Sequence, residues 1–186
     1  MKVNSFVKAG LLWLGFSILL SGFGFAQTAT APANGDGSFS NPYEIASLEN
    51  LYWLSQNNTE WDKDYIQTAD IDASETVNWD NGAGFSPIGT YSDRFAGSYN
   101  GDGYRIENLY INRPETRDVG FIGVTGRRFQ EIKNIHLINA DFTGYVNAGG
   151  IVGQNYSQIE RCSFEGTIDG YLYIGGITGN NSYEIS

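Results

Sequence analysis

The hydrophobic pattern of this chain becomes periodic from Arg105 onwards. Ile106, Ile132, Ile159 and Ile185 recur at a nearly constant spacing. The segments around the first three, "RIENLYI", "EIKNIHL" and "QIERCSF", share the same order of apolar and polar positions. Glycine-rich phrases recur in phase with them, as "VGFIGVTG", "GGIVGQN" and "GGITGNN". Regular self-similarity of this kind predicts a solenoid of stacked repeats.

Each repeat contains short β-type runs and no helical pattern. A coil of about 26 residues built in this way is typical of a parallel β-helix. Upstream, Ser47 can cap a helix through "LENLYWLSQNN", where Leu48, Leu51 and Leu54 lie on one face. "NPYEIAS" and "DYIQTADIDAS" predict short strands on either side of it. The predicted fold is therefore all-β, a parallel β-helix with one short N-terminal capping helix.

The β-helix prediction also specifies which residues should stack, because equivalent positions on successive coils lie about 4.8 Å apart. Three apolar columns should point inward and form the core. They are Ile106 over Ile132 and Ile159, Leu109 over Ile135 and Cys162, and Ile111 over Leu137 and Phe164. The residues expected to point outward are Tyr110, His136 and Ser163. A corner column, where stacked backbones crowd or need positive φ, should consist of Gly123, Gly153 and Gly179.

Residues 1–26 have the pattern of a cleaved signal peptide. Lys2 and Lys8 precede an apolar core at 11–20, and Gly24 and Ala26 occupy the −3 and −1 positions of a cleavage site after Ala26. A transmembrane anchor is the alternative, but the stretch contains several Gly and Ser residues and no positive cluster follows it. We therefore expect export to the medium or the cell surface, without membrane insertion after cleavage.

Three further segments follow the predicted signal peptide. Residues 27–38 are polar and form a flexible leader, residues 39–104 form a cap region with the first coils, and residues 105–186 contain the repeats. Because Ile185 would open a fourth coil that the sequence does not complete, we expect the chain to be a fragment of a longer protein.

The charge of the chain limits its partners. Without Lys2 and Lys8 there are nine basic and 21 acidic residues, hence a net charge of −12. Such a surface repels nucleic acid and anionic lipid, so neither is expected as a partner. A single cysteine, Cys162, excludes a disulfide framework within the chain. Because Cys162 falls in a predicted core column, we interpret it as a small core residue rather than a nucleophile.

Few residues are available for catalysis. His136 is the only histidine, and the chain has no HExxH metallopeptidase motif. Carboxylate pairs such as Asp141 with Glu165 or Asp169 can cleave glycosidic bonds across a cleft, but any acidic solenoid offers such pairs. We therefore expect no enzyme activity and no cofactor. A polysaccharide-cleaving β-helix, a lyase or a glycosidase, is the alternative, and a groove where Asp clusters with Arg, Lys or His would favour it.

Oxygen-rich turns offer one candidate metal site, for calcium. Asp70 and Asp72 lie in "ADIDAS", and Asn100 and Asp102 lie in "YNGDGY". Neither segment has the spacing of an EF-hand or of a calcium-binding β-roll. A tight turn of residues that tolerate positive φ is the simpler explanation for the second segment.

Exposed tyrosines offer a candidate ligand surface. Tyr145 in "GYVNAGG" and Tyr171 in "GYLYIGG" precede the glycine pairs by matching distances, so they should stack on adjacent coils, with Tyr173 beside them. Such a column stabilises stacked strands. It also presents flat faces on which sugar rings stack, while nearby amides bond the hydroxyls. The sequence leaves both interpretations open.

The glycine phrases and the intervening "IERCSFEGTI" resemble the GLUG-motif repeats of bacterial surface proteins. Upstream, the blocks "NPYEIASLENLYWLSQN", "YIQTADIDAS", "FSPIG", "FAGSYNGDGYRIENLYI" and "VGFIG" follow in an order similar to that found before such repeats. The resemblance covers residues 35–186. It departs from the motif at Phe121, Ile151 and Ile177, where the family has Leu, and these replacements keep the position apolar.

The resemblance implies a right-handed β-helix in an adhesin-like surface protein, or in the non-catalytic region of an IgA-cleaving metallopeptidase. It implies no catalytic residues. Together with the residue patterns, it predicts a non-catalytic, secreted or surface-displayed module that serves as a stalk or as an adhesive, carbohydrate-binding surface. The expected partner is an extracellular glycan or a host or cell-surface protein.

Overall fold

The computed structural model describes residues 27–126 and 130–183. The predicted signal peptide and Ile185 lie outside the described residues. The described chain is mainly β-strand, with one α-helix, α1 (Leu48–Gln56), and short 3-10 turns at Asn58–Glu60, Ser74–Asn78 and Asp80–Gly82. The strands are β1 (Tyr43–Ile45), β2 (Tyr65–Gln67), β3 (Ile71–Asp72), β4 (Tyr99–Asn100), β5 (Arg105–Glu107), β6 (Tyr110–Asn112), β7 (Ile122–Val124), β8 (Glu131–Lys133), β9 (His136–Thr143), β10 (Val146–Gly149), β11 (Val152–Asn155), β12 (Gln158–Glu160), β13 (Ser163–Asp169), β14 (Leu172–Gly175) and β15 (Thr178–Asn181).

Helix α1 forms where the sequence predicts it. Ser47 is the N-cap, and its Oγ accepts a hydrogen bond from Asn50 N over 3.4 Å. Leu51 and Leu54 are fully buried and belong to the core. The predicted leader lies against this helix, since Asn50 Nδ2 donates to Thr30 O over 2.9 Å. None of the helices in the described ranges has the length and apolarity needed to cross a bilayer.

The strands form four sheets in which every neighbouring pair is parallel. The first sheet has the order β1-β2-β4-β8-β12, the second β3-β5-β9-β13 with β6 also on β9, the third β7-β11-β15, and the fourth β10-β14. From β8 onwards the chain visits the first, second, fourth and third sheets in turn, and we call one such passage a coil. Val146 pairs with Leu172 and Val152 with Thr178, so each residue meets its equivalent in the following repeat.

The two later repeats stack in the predicted register. The pairs that confirm it are Ile132 with Ile159 and Leu137 with Phe164. Ser163 N donates to Ile135 O over 2.9 Å, which places Cys162 beside Ile135.

The register predicted for the first repeat is wrong. The observed partners are Leu137 for Ile106 and Phe142 for Ile111, and Asp141 N donates to Leu109 O over 3.0 Å. The cause is the turn at 101–104, because the short strand before it, β4, occupies the place opposite β8. Strand β5 therefore belongs to the second sheet, between β3 and β9. The coil from Ile106 to Leu137 is longer than the later coil from Ile132 to Ile159.

The alternation of inward and outward residues is as predicted even where the register is corrected. The residues at the predicted inward positions with 0 to 1% exposure are Ile106, Leu109, Ile111, Ile132, Ile135, Leu137 and Ile159. Tyr110 and His136 are half-buried, and Ser163 is exposed. The same residues form the core despite the shift in register, because side chains alternate with period two along each strand, whichever coil the strand pairs with.

The predicted glycine column is present, but it lies within β7, β11 and β15 of the third sheet and not at a corner. Val152 pairs with both Ile122 and Thr178, which aligns Gly153 with Gly123 and Gly179. A Cβ on Gly153 would lie 2.8 Å from Gly123 O, closer than real Cβ atoms approach. Close stacking of backbones therefore explains these glycines.

The strands β12 to β15 are the outer strands at one end of the four sheets. Leu172 is 45% exposed and Ile174 48% exposed, whereas Val146 and Ala148, their partners one coil earlier, are buried. The inward positions of this last described coil are thus in contact with solvent.

Candidate functional site

Tyr145 and Tyr171 stack on adjacent coils, as their spacing predicts. Their ring centroids lie 5.5 Å apart with an interplanar angle of 12°. The backbone fixes this arrangement, since Tyr171 N donates to Tyr145 O over 2.8 Å. Tyr145 is 40% exposed and Tyr171 is 75% exposed. The pair therefore presents a broad aromatic surface to solvent.

Tyr173 is close to Tyr171 in the chain, but its side chain lines a groove. Its φ of 58° is left-handed, and it continues a column with Asp118 and Asn147, each with φ 59°. This turn of the backbone directs Tyr173 into an open groove of about 500 Å³. The groove is lined by Tyr91, Arg117, Asp118, Asn147, Gln154, Tyr173 and Asn180.

Asn147 is a buried polar residue in the wall of this groove. Its Nδ2 donates to Asp118 Oδ1 over 2.6 Å, and its Oδ1 has no hydrogen-bond partner within the described protein. Burying an acceptor without a partner costs about 1–3 kcal/mol. A donor that reaches this amide from the groove would recover that free energy.

Three further polar ladders connect the coils, and the sequence pattern did not predict them. In one, Asn139 Nδ2 donates to Asn108 Oδ1 over 2.7 Å, and Asn108 Nδ2 donates to Asp72 Oδ1 over 3.0 Å. A second connects Asn100, Asn134 and Arg161, and a third connects Thr125, Asn155 and Asn181. The signal available in the sequence was the recurrence of Asn at 108, 134, 139, 147 and 155, close to strand ends.

The four candidate calcium ligands fall into two separate turns. Asp72 Oδ1 accepts from Ser74 N over 2.9 Å, and Asp70 Oδ1 accepts from Arg105 N over 2.8 Å. The hydrogen bond from Asn108 holds the pKa of Asp72 below its usual value. Asn100 Oδ1 accepts from the backbone N–H of Asp102, the tight turn considered as the alternative. These oxygens act as structural acceptors, and calcium binding stays a prediction.

The other candidate reactive side chains of the described chain are not grouped in one site. His136 Nδ1 and Ser163 Oγ are 2.7 Å apart on the outer face of the second sheet. Cys162 packs against the core, and burial raises the pKa of its thiol to about 11. Among the described residues, no three of His, Cys, Asp and Glu are grouped as a metal site would require.

A second groove, of about 380 Å³, is acidic. Its charged residues are Asp62, Asp64, Glu131 and Lys133. Lys133 is paired with Glu131, and Asp62 is paired with Lys63 at 3.0 Å. This groove places carboxylates beside a lysine, the kind of clustering that would favour the enzyme alternative.

Comparison with known proteins identifies one motif and two relatives. The GLUG motif matches residues 144–169, the segment that contains β10 to β13. Halomucin of Haloquadratum walsbyi is 36% identical over 155 residues, which cover 81% of this chain and 2% of halomucin. A putative Gly-rich membrane protein of Evansella cellulosilytica is 33% identical over 140 residues, covering 72% of this chain and 15% of that protein.

The chain thus spans a small part of the length of both relatives, and no solved structure matches it significantly. The stacked glycine phrases, the motif at 144–169 and the two relatives together confirm the resemblance that the sequence shows. Residues 144–169 thus contain a GLUG motif, and the chain resembles GLUG-repeat surface proteins.

Proposed function

We propose that this chain is a non-catalytic β-helical module of a secreted or surface-displayed protein, and that it binds an extracellular glycan through its exposed tyrosines. The β-helix is supported by parallel pairing in all four sheets and by the rotation of the chain among them. Parallel strands joined within one sheet almost always have a right-handed connection, so the helix is right-handed.

Two observations support the location. One relative is named as a halomucin and the other as a Gly-rich membrane protein, names that point to surface or membrane association. The pattern of Lys2, Lys8 and the apolar stretch at 11–20 supports export through a signal peptide.

The observation that carries glycan binding is the exposed stack of Tyr145 and Tyr171. One face of Tyr171 contacts Tyr145, and the ring is still 75% exposed. Aromatic rings held rigidly at a surface offer large contact area at a small cost in conformational entropy. The C–H face of a sugar ring packs on such a surface in the same way as another apolar face.

The test is glycan binding by the wild type and by Tyr171→Ala, measured on a glycan array and then by calorimetry. Tyr104→Ala is the matched control, because Tyr104 is also exposed and has no stacking partner in the described chain. We expect Tyr171→Ala to weaken binding roughly tenfold, as loss of a good aromatic contact does, and Tyr104→Ala to leave it unchanged. Equal binding by all three proteins would contradict the proposal.

Polysaccharide cleavage is the second candidate, and the acidic groove favours it. The same glycans are incubated with protein and assayed for new reducing ends and for unsaturated products. If Asp64→Asn abolishes product formation, the module is an enzyme and the groove its active site. If no products form, the non-catalytic proposal stands.

A further inference from the structure

We infer that the groove around Tyr173 recognises the anionic group of an acidic polysaccharide, a uronate carboxylate or a sulfate ester, through Arg117. The inference rests on the proposed glycan binding and names the class of glycan.

The first argument is the pairing of the basic side chains. The described residues include seven Lys and Arg side chains, and five of them lie within 4.0 Å of a carboxylate oxygen. The paired five are Lys63, Arg105, Arg113, Lys133 and Arg161. Arg117 and Arg94 make no such pair, although carboxylates outnumber cations in this chain. Arg117 lines the groove, and Arg94 lies over the ring of Tyr91, a residue of the groove lining.

Arg94 contacts two aromatic rings, one of which, Tyr91, lines the groove. Its guanidinium carbon lies 4.6 Å from the ring centroid of Tyr156 and 5.4 Å from that of Tyr91. Gln154, in the groove lining, donates to Tyr156 Oη over 2.7 Å. Cation–π contacts orient Arg94 without neutralising it, because an aromatic ring carries no net charge. Arg94 therefore keeps its positive charge beside Tyr91, a residue of the groove lining.

Arg117 provides the direct contact. It is exposed, lines the groove, and makes no hydrogen bond or ion pair within the described chain. A guanidinium binds carboxylate or sulfate oxygens through two parallel hydrogen bonds, a geometry that an ammonium group lacks.

The other residues of the groove can contact the sugar ring that carries the anionic group. Tyr91 is 67% exposed and Tyr173 is 56% exposed, so both present ring faces. Asp118 and the amides of Gln154 and Asn180 offer acceptors and donors to hydroxyl groups. A volume of about 500 Å³ is typical of a small-molecule site.

The experiment compares three oligosaccharides by calorimetry in buffers of low and of high NaCl concentration. They are oligogalacturonate, its methyl-esterified and therefore neutral counterpart, and a sulfated galactan oligosaccharide. The proteins are the wild type, Arg117→Gln, Arg117→Lys and the control Arg105→Gln, whose arginine is exposed but paired with Glu107 at 4.0 Å.

We expect the wild type to bind at least one acidic ligand roughly tenfold more tightly than the neutral one, with a smaller preference in high salt. Arg117→Gln should abolish the preference, Arg117→Lys should restore part of it, and Arg105→Gln should retain it. Comparison of the carboxylated and sulfated ligands identifies which anion is preferred.

Each failure has its own meaning. Equal affinity for acidic and neutral ligands overturns this inference and leaves the proposed glycan binding standing. A preference that survives Arg117→Gln overturns the assignment to this groove. Binding of none of the ligands, together with a negative glycan array, overturns the inference and the proposed function alike. Circular dichroism confirms that the variants are folded.

Discussion

Asn155 donates a hydrogen bond from Nδ2 to Asn181 Oδ1 over 2.8 Å and so joins two coils at a corner. Its second Nδ2 proton goes to Ser157 O over 2.7 Å. Its Oδ1 accepts from Thr125 Oγ1, one coil earlier, and from Ser157 N, each over 3.0 Å. The side chain is completely buried and its hydrogen-bonding capacity is fully used. A ladder of this kind fixes the register of the coils because a one-residue slip breaks every bond in it.

Asn155→Ala should therefore destabilise the protein. The substitution leaves buried groups of Thr125 and Ser157 without partners, and we expect the free energy of unfolding to fall by about 2–4 kcal/mol. Urea denaturation measures the loss. The control is Asn112→Ala, which removes an exposed asparagine whose side chain has no hydrogen bond within the described chain. Equal losses in the two variants would contradict the ladder's role.

The repeated glycine pairs allow a matched test of backbone crowding. A Cβ on Gly150 would overlap the Phe164 ring and Gly176 O, whereas a Cβ on Gly176, one coil later, would have no atom within 4 Å. Gly150→Ala should lower stability by about 1–3 kcal/mol through overpacking, and Gly176→Ala should be nearly neutral. Thermal melts of both variants measure the difference. Equal losses of stability in the two variants would contradict the role of backbone crowding.

The stack of Tyr145 and Tyr171 should also contribute to stability. A double-mutant cycle with Tyr145→Ala and Tyr171→Ala should give a coupling free energy of about 0.5–1.5 kcal/mol. The cycle separates the two interpretations of the pair, because coupling measures stability and glycan affinity measures binding. Additive effects would show that the rings do not support the coils.

Cys162 should react slowly in the folded protein. Burial raises the pKa of its thiol to about 11, so the reactive thiolate is scarce at neutral pH. Iodoacetamide should modify it much faster in urea than in buffer. An unfolded thiol ionises near pH 9.0, so the stability that the neutral thiol contributes is complete below this pH and declines as the pH rises towards 11. Cys162→Ala should show a smaller decline over that range.

Calcium should leave the melting temperature unchanged. The candidate ligand oxygens already serve the fold, since Asp70 accepts from Arg105 N, and Asp72 accepts from Asn108 and from a backbone amide. A ligand that binds only the folded state raises the melting temperature. Melts with EDTA, with calcium and with magnesium are compared. A rise specific to calcium, lost in Asp72→Asn, would establish the metal site instead.

The corrected register of the first repeat shows which features the hydrophobic pattern predicts and which it does not. "RIENLYI" and "EIKNIHL" have the same alternation, so both give strands with the same inward face. Alternation does not identify which coil each strand pairs with, because that depends on the length of the turn between strands. The turn at 101–104 moves Ile106 from Ile132 to Leu137.

The candidate site likewise has one part that the sequence predicts and one part that it does not. The matching positions of Tyr145 and Tyr171 before the glycine pairs predict their stack. Nothing local predicts that Tyr91 lies in one groove with Arg117 and Tyr173, because these residues are distant in the chain and on separate coils.

Residue spacing was enough to predict the periodic all-β architecture, the buried faces and helix α1, since each depends on a pattern within one or two repeats. The resemblance to GLUG-motif repeats was also visible in the sequence, and the motif match at 144–169 agrees with it. Only the tertiary structure revealed the strand pairing of the first repeat, the polar ladders and the two grooves. They depend on contacts between coils. These contacts are determined by turns of unequal length, which local periodicity does not predict.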